Sequence, residues 1–363
     1  MRKLVPAIVL ILLVTICGGC TDQSSQVQEY TRENFVMDTL ISIKVYSSDA
    51  ELGRKALNEA FAEFTRIGNL TDKFAAKNLT NPEISDVYRI NQNAGLQPVP
   101  VSEDTLAMLE KSNYWARLSN GAFDITVGPL MNLWGFGQDQ YYIPSDKELK
   151  LELALVGYDA IVMDQAEKTV FLPAKGMEID LGGIAKGYAT DMAVQKLRQM
   201  GIESAIINAG GNVYALGTKP DGSPWLTGIQ DPRNANKIIA VIQAKDMAIV
   251  TSGDYQRYFI RDGIRYHHIL NPLTGKSAEE TISTTVTAPS ATEADVLSTT
   301  LFVLGPQAGA EFIQQFPNAD TVFIDNQRKI TLSPEIHKLI QFMDASGYVC
   351  LPCRQLNPGG LNP

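Results

Sequence analysis

"MEIDLGGIAKGYATDMA" (residues 177–193) reads as the end of a strand, a glycine turn and the start of a helix. The helix continues to about Met200, where Gly201 stops it. Backbone amides at a helix start that follows glycine can hold phosphate. The stretch is not G-x-G-x-x-G, however, and the chain contains no G-x-x-x-x-G-K-[ST]. Downstream, strands and turns alternate at 205–208, 213–217, 225–230, 238–242, 248–252 and 258–261, with another strand at 284–288. Ser290-x-x-Glu293 has the form of a capping box, which predicts a helix over 291–304 ended by Gly305-Pro306. Helix, strand and helix follow around Gln307, Thr321 and Pro334. Upstream, 39–46 alternates as a strand, and 50–67 is an amphipathic helix with Leu52, Ala56, Ala60 and Phe64 on one stripe. Residues 73–95 are polar and irregular, 103–118 is a second helix, Ser145 caps a short helix to about Val156, and 159–163 with 169–172 reads as a hairpin. Strands and helices mix without strict βαβ alternation, which predicts an α+β fold in a single mixed domain. No internal repeat or low-complexity linker divides the chain.

The N-terminus bears on location. Arg2 and Lys3 precede an apolar run, 4–16, too short to span a bilayer comfortably. The run closes on "CGGC" (17–20), which resembles the bacterial lipoprotein cleavage box with Cys20 as the lipidated first residue. One departure is Cys17, where an aliphatic residue is usual; an ordinary secretory signal cut near Gly19, or an uncleaved anchor, are the alternatives. The expected division is a signal peptide at 1–19, a polar tether at 20–34, a domain at 35–340 and a tail at 341–363. The protein is expected outside the cytoplasm, lipid-anchored to a bacterial membrane and facing the periplasm or the cell surface.

A formal net charge of -9 argues against nucleic acid as a partner. It does not exclude an anionic small molecule, because one metal ion and a few amides can reverse the local sign. Cys350 and Cys353 form C-L-P-C without a thioredoxin-like pattern and without two further zinc ligands. They read as a peripheral tail with an optional disulfide.

Four further stretches can carry chemistry. Asp295 and Thr299 lie four apart on one helix face and offer two hard oxygens of the kind Mg²⁺ accepts. The helix dipole alone also favours an aspartate there. "RYHHILNPLTG" (265–275) holds two adjacent histidines, which a strand points to opposite faces, so at most one faces a given pocket. A histidine is the natural general base near neutral pH, and a hydrogen-bonded structural histidine is the plainer outcome. "NAGGNVYALG" (208–217) places paired glycines between strands, either as a tight turn or for close approach to a ligand. "GAFDITVGPLMNLWGFG" (121–137) is aromatic, glycine-rich and poor in charge; it suits the wall of a flat apolar ligand, or core.

Taken in order, "FDITVGPLMNLWGFG", "EIDLGGIAKGYATD", "INAGGNVYALG", "HHILNPLTG" and "ATEADVLSTTLFVLG" resemble the ApbE family of FAD:protein FMN transferases, over roughly residues 35–340. The resemblance implies a fold of the FMN transferase type, with a flavin pocket between sheet and helices. It implies Mg²⁺ as cofactor, held by the Gly183 carbonyl, Asp295 and Thr299, with Ser298 beside them as a further ligand. Asp180 and Lys186 would contact FAD; Met37, Ala122, Phe123, Asp124 and Ile269 would line it; His268 is the implied catalytic base. Two departures stand out. The family usually reads Met-Gly-Thr where this chain has Met37-Asp38-Thr39, and a flavin-side tyrosine corresponds to Phe74. Phe74 keeps the stacking surface and loses the phenol hydrogen bond.

The implied reaction is transfer of FMN from FAD to a threonine or serine hydroxyl of a target protein, with release of AMP. The implied partners are flavin-carrying subunits of membrane redox complexes, modified within a Ser/Thr-Gly-Ala-Thr-type segment. Two other readings stay open on the residues: an FAD pyrophosphatase giving FMN and AMP, and a flavin-binding lipoprotein without chemistry.

Overall fold

The computed structural model describes residues 26–77, 83–138 and 140–350. The expected signal peptide at 1–19, the expected lipidation site Cys20 and the tail beyond Cys350, with Cys353, lie outside the described residues. Cys350 is itself disulfide-bonded.

The chain opens with a hairpin, β1 (Gln28–Val36) and β2 (Thr39–Ser47), followed by the long helix α1 (Ala50–Thr71). α2 (Asp86–Gln92), β3 (Val99–Pro100), α3 (Glu103–Leu118), α4 (Gly128–Trp134) and α5 (Asp146–Leu153) come next, then β4 (Val162–Asp164) and β5 (Thr169–Phe171). Helix α6 (Ala185–Gln199) leads into β6 (Ala205–Ala209), β7 (Asn212–Leu216), β8 (Trp225–Asp231), β9 (Asn234–Ala244) and β10 (Met247–Gly253). β11 (Tyr258–Arg261), β12 (Ile264–His267) and β13 (Thr281–Ala288) precede helix α7 (Ala291–Ile313). β14 (Asp320–Asp325), β15 (Lys329–Leu332), β16 (Ile340–Phe342) and β17 (Val349–Cys350) complete the described fold.

Among the described residues the main sheet runs β1-β2-β6-β7-β10-β13-β14-β15-β17. Its neighbours are antiparallel except for the parallel pair β15 and β17. Both faces are covered, as strand alternation requires. In β10, Ala248 and Val250 join the core formed with α1, α6 and α7, whereas Ile249 joins a second core under the small sheet β16-β9-β8. The α+β expectation holds, as helices, large sheet and small sheet in three layers.

Several expected boundaries move. Residues 28–34, read as tether, are strand β1, paired with β2 along its whole length. The expected tail from 341 is also built in: β16 pairs with β9 and β17 with β15. The region 73–95 contains helix α2, capped by Ser85. The helix α7 has non-helical backbone at Gly305 (φ 77), so the expected stop at Gly305-Pro306 is a kink between two helical pieces. Its N-terminus is capped differently from the expected box. The Ser290 Oγ accepts from the Glu293 amide, but Asp191 of α6 completes the cap, accepting from the Ser290 hydroxyl and the Ala291 and Thr292 amides. That carboxylate ties α6 to the helix start that carries Asp295.

Candidate active site

A cavity of about 630 Å³ opens at one end of the main sheet, where the β1–β2 and β6–β7 turns meet the starts of α6 and α7. Each wall has a local cause. Residues 125–128 run beside 178–180: the Asp180 amide donates to the Ile125 carbonyl (2.7 Å) and the Gly128 amide to the Glu178 carbonyl (3.2 Å). A Cβ at Gly128 would lie 2.6 Å from the Glu178 carbonyl oxygen, so the approach requires glycine. Asn91 of α2 fastens the second segment, exchanging hydrogen bonds with the Ile179 amide and carbonyl (2.8 and 3.0 Å). Thus 177–181 makes one isolated bridge to Val127 and no regular strand.

Leu181, Gly182, Gly183, Ala185 and Lys186 all line the cavity, so α6 starts there; its Ala185 amide donates to the Leu181 carbonyl (2.8 Å) and its Gly187 amide to the Asp295 carboxylate (2.9 Å). The dipole of α6 still favours an anion at this end. The Lys186 Nζ donates back to the Gly182 carbonyl (2.9 Å). At the β1–β2 turn, Met37 (φ 55) and Asp38 (φ 57) are both left-handed, the requirement of a two-residue type I′ hairpin loop. Asp38 stands where the resemblance has glycine because aspartate also tolerates this conformation.

The structure brings Met37, Phe74, Ala122, Phe123, Asp124, Asp180, Gly183, Lys186, His268, Ile269, Asp295 and Thr299 to this one cavity. One assignment needs correction, that of Ser298, and two carboxylates among the lining residues have partners of their own. Ser298 is fully buried and does not line the cavity; its hydroxyl bonds the Asp295 carbonyl (2.9 Å) and the Ser252 hydroxyl (2.8 Å), so it supports the helix instead of offering a ligand. Asp124 lines the cavity, but its carboxylate is spent: Oδ1 accepts from the Thr126 amide and hydroxyl, and Oδ2 from the Tyr158 amide. Asp180 is paired at 2.8 Å with Lys73 and accepts from the Gly182 amide (2.8 Å). Burial would raise its pKa, yet the Lys73 ammonium outweighs burial and holds it at about 2. Of the stretch 121–137, the first half lines the cavity, while Leu130, Trp134 and Phe136 form a separate core with Leu149 and Leu270.

The two histidines part as expected, His267 as the last residue of β12 and His268 just beyond it. His267 is buried and satisfied: Nε2 donates to the Ala278 carbonyl (2.8 Å) and Nδ1 accepts from the Ile269 amide (3.3 Å). His268 lines the cavity, and its Nδ1 lies 3.2 Å from the Arg257 carbonyl. A carbonyl only accepts, so Nδ1 carries the hydrogen and Nε2 keeps the lone pair. Burial, and then the Arg257 cation, push its pKa down to about 3, so the ring is neutral at neutral pH.

The residues present fit a hard divalent cation. Among the described residues no group of three or more His, Cys, Asp or Glu converges, which disfavours a zinc-type site. Oxygen donors do converge. The Asp295 carboxylate is buried, accepts from the Gly187 amide (2.9 Å), and has its pKa raised chiefly by burial. A Cβ on Gly183 would lie 3.7 Å from the Thr299 Oγ1, so that backbone and that hydroxyl are neighbours. Asn212, 1% exposed, has neither side-chain polar atom in a formed hydrogen bond among the described residues, although its amide lies close enough to favour the ionised Asp295 carboxylate. An orphaned amide in this wall is accounted for when a ligand completes it. Asn212, Ser252, Lys73 and Arg257 are the site residues that sequence reasoning missed; only Asn212, beside the glycine pair, sat within a stretch already singled out.

A family profile described as the ApbE family matches residues 37–323. A Treponema pallidum (strain Nichols) protein named FAD:protein FMN transferase is 33% identical over 351 residues, spanning 92% of this chain and 95% of its own. A Klebsiella pneumoniae (strain 342) protein of the same name is 33% identical over 326 residues, spanning 89% and 98%. Among solved structures, the ApbE protein from Thermotoga maritima superposes with a TM-score of 0.79 at 35% identity, covering 86% of this chain and 99% of that one. The flavin transferase ApbE from Vibrio cholerae gives 0.76 at 27% identity, covering 86% and 100%.

Proposed function

Because the chain belongs to the ApbE family and is an FAD:protein FMN transferase, we propose that it moves FMN from FAD to a serine or threonine hydroxyl of a target protein, releasing AMP, with Mg²⁺ as cofactor. The observation that carries this reading is the convergence of Gly183, Asp295, Thr299 and a neutral His268 on one cavity.

The Gly183 carbonyl, Asp295 and Thr299 would hold the cation. Bound there, Mg²⁺ supplies positive charge against the diphosphate as its bond breaks. The positive end of α6 and Lys186 bind and orient the phosphates. Phe123 and Ile269, both buried, present apolar surface to the flavin. The target's hydroxyl oxygen attacks the phosphorus on the FMN side. That P–O bond forms as the P–O bond to AMP breaks, and the hydroxyl proton passes to Nε2 of His268. The Arg257 carbonyl fixes the tautomer that this transfer needs. The ring is a weak base in the empty cavity; the negative charge of an arriving diphosphate raises its proton affinity. Asp180, neutralised by Lys73, is poorly suited to the same task.

Location is part of the proposal. Cys20 as a lipid anchor would place the domain outside the cytoplasm at a bacterial membrane, beside flavin-carrying subunits of membrane redox complexes.

One incubation tests the reading: soluble protein, FAD, Mg²⁺ and a target domain, followed by intact mass and AMP. Transfer predicts a covalent mass gain with one AMP per event, slowed ~100- to 10,000-fold in His268→Ala with FAD binding retained. AMP and free FMN at a rate the target does not raise would make the protein a pyrophosphatase. Neither product would leave flavin storage.

A further inference from the structure

A second cavity, about 910 Å³, shares Gly210, Thr251 and Gln256 with the first. Its floor is the small-sheet face of the main sheet, with Ile206, Val213 and Ile249 from β6, β7 and β10. One wall is β8, an edge strand whose only partner among the described residues is β9, so its other edge keeps unpaired backbone donors and acceptors. We propose that this groove receives an extended, uncharged segment of the target polypeptide, laid along the free edge of β8 and delivering its hydroxyl past Gly210 and Thr251 into the FAD cavity. The proposal rests on the transfer reading above and adds where the acceptor docks.

Three observations carry it. The first is continuity. The boundary between the cavities is lined by Gly210, Thr251 and Gln256; the Gly210-Gly211 turn has φ values of 61° and 92° that call for glycine, and the Gln256 side chain beside it is folded onto the Thr251 carbonyl (3.2 Å). The second is charge. The groove's ionic groups are already paired: Arg233 binds Asp254 through two contacts of 2.7 Å, and Arg265 lies 3.6 Å from Asp254 and over the Tyr258 ring. Asp231 accepts from the Arg233 amide and the Tyr348 hydroxyl. Nothing there asks for a charged partner. The third is surface chemistry. Leu226 (57% exposed) and Ile238 (42%) flank the groove, and the buried Thr227 hydroxyl has no hydrogen-bond partner among the described residues. Apolar flanks beside a free strand edge are how a sheet captures an extended peptide, with main-chain bonds for affinity and alternate side chains for specificity.

The test uses the double variant Leu226→Glu with Ile238→Glu; both side chains are exposed, so folding is expected to survive and is checked by circular dichroism. The probe is a soluble domain carrying a Ser/Thr-Gly-Ala-Thr segment, together with a form in which the hydroxyl residue is alanine. Binding of the alanine form is read by fluorescence anisotropy, FAD binding by flavin fluorescence, and transfer by intact mass. The expected result is at least tenfold weaker binding of the alanine form and at least a tenfold higher KM for the reactive domain, with FAD affinity unchanged. Equal affinity and KM in variant and wild type would overturn the proposal, as would no binding of the probe to the wild type. Binding only after removal of residues 1–25 would assign the groove to the chain's own N-terminal segment and also overturn it. A wild type that binds the probe through this groove but never attaches flavin supports the groove and overturns the hydroxyl-transfer reading instead.

Discussion

Gly187 is the third residue of α6 and sits in helical backbone, where alanine normally adds about 0.5–1 kcal/mol of stability. Here the sign should reverse. A Cβ at Gly187 would lie 2.3 Å from the Ala291 carbonyl oxygen and 2.8 Å from the Asp295 Cβ, against an ordinary contact of at least 3.4 Å. The Ala291 carbonyl belongs to the first turn of α7 and cannot rotate aside, so the helices must separate by about 1 Å. Overpacking of this kind costs about 1–3 kcal/mol, which exceeds the helix-propensity gain. The same shift carries Asp295 away from Gly183 and stretches its 2.9 Å bond from the Gly187 amide. Misplacing a site group by ~1 Å costs roughly 100-fold in rate. Gly187→Ala should therefore melt a few degrees lower and attach flavin about two orders of magnitude more slowly, as read by calorimetry and intact mass. A variant that melts higher than wild type and turns over normally would refute the close helix contact and the role of Asp295 together.

Asp295→Asn should separate stability from activity: burial raises this carboxyl's pKa, so in metal-free protein at neutral pH its charge opposes folding, and asparagine should melt no lower than wild type while abolishing transfer. Asp38→Gly should stabilise by about 1 kcal/mol in urea titrations, since glycine meets the φ of 57° without strain. Asp180 is held at about 2 against an ordinary 3.8, so its contribution is complete above pH ~4 and is lost as pH falls toward 2. Its size is about 2 kcal/mol, and Lys73→Met should flatten that part of the acid-unfolding profile; an unchanged slope would mean the ion pair does not form in solution.

What could be read in advance follows physical range. The length of α3 and the Ser145 cap are local and were legible, while the reciprocal bond to Glu148 was not read. The parting of His267 and His268 was expected from strand alternation, and the structure separates them although His268 lies one residue past the end of β12. β1 was not: residues 28–35 are exposed or half-buried on both faces of an edge strand, so no apolar alternation marks them. The Lys73–Asp180 pair joins positions too far apart for any periodic signal. Ser298 shows the limit most sharply. Helical spacing groups it with Asp295 and Thr299, and only the packing of Ser252 from β10 against it decides that Thr299 faces the cavity and Ser298 does not.

The cavity's own charge bears on how an acidic protein holds a diphosphate. Five aspartates line it, at 38, 72, 124, 180 and 295, against the cations Lys73, Lys186 and Arg257, with His268 neutral. Lys73 is committed to Asp180, and the Lys186 ammonium already has the Gly182 carbonyl. A diphosphate entering this lining meets more negative than positive side-chain charge, and the amides at the start of α6 supply only partial charges. The proposed divalent cation on Asp295 and Thr299 would remove the excess where the phosphates would lie. Its binding and that of FAD would then be linked, each raising the affinity for the other by the same factor. On the proposed function the site would be completed by both together, and Asp295 would serve the complex at the expense of the empty protein.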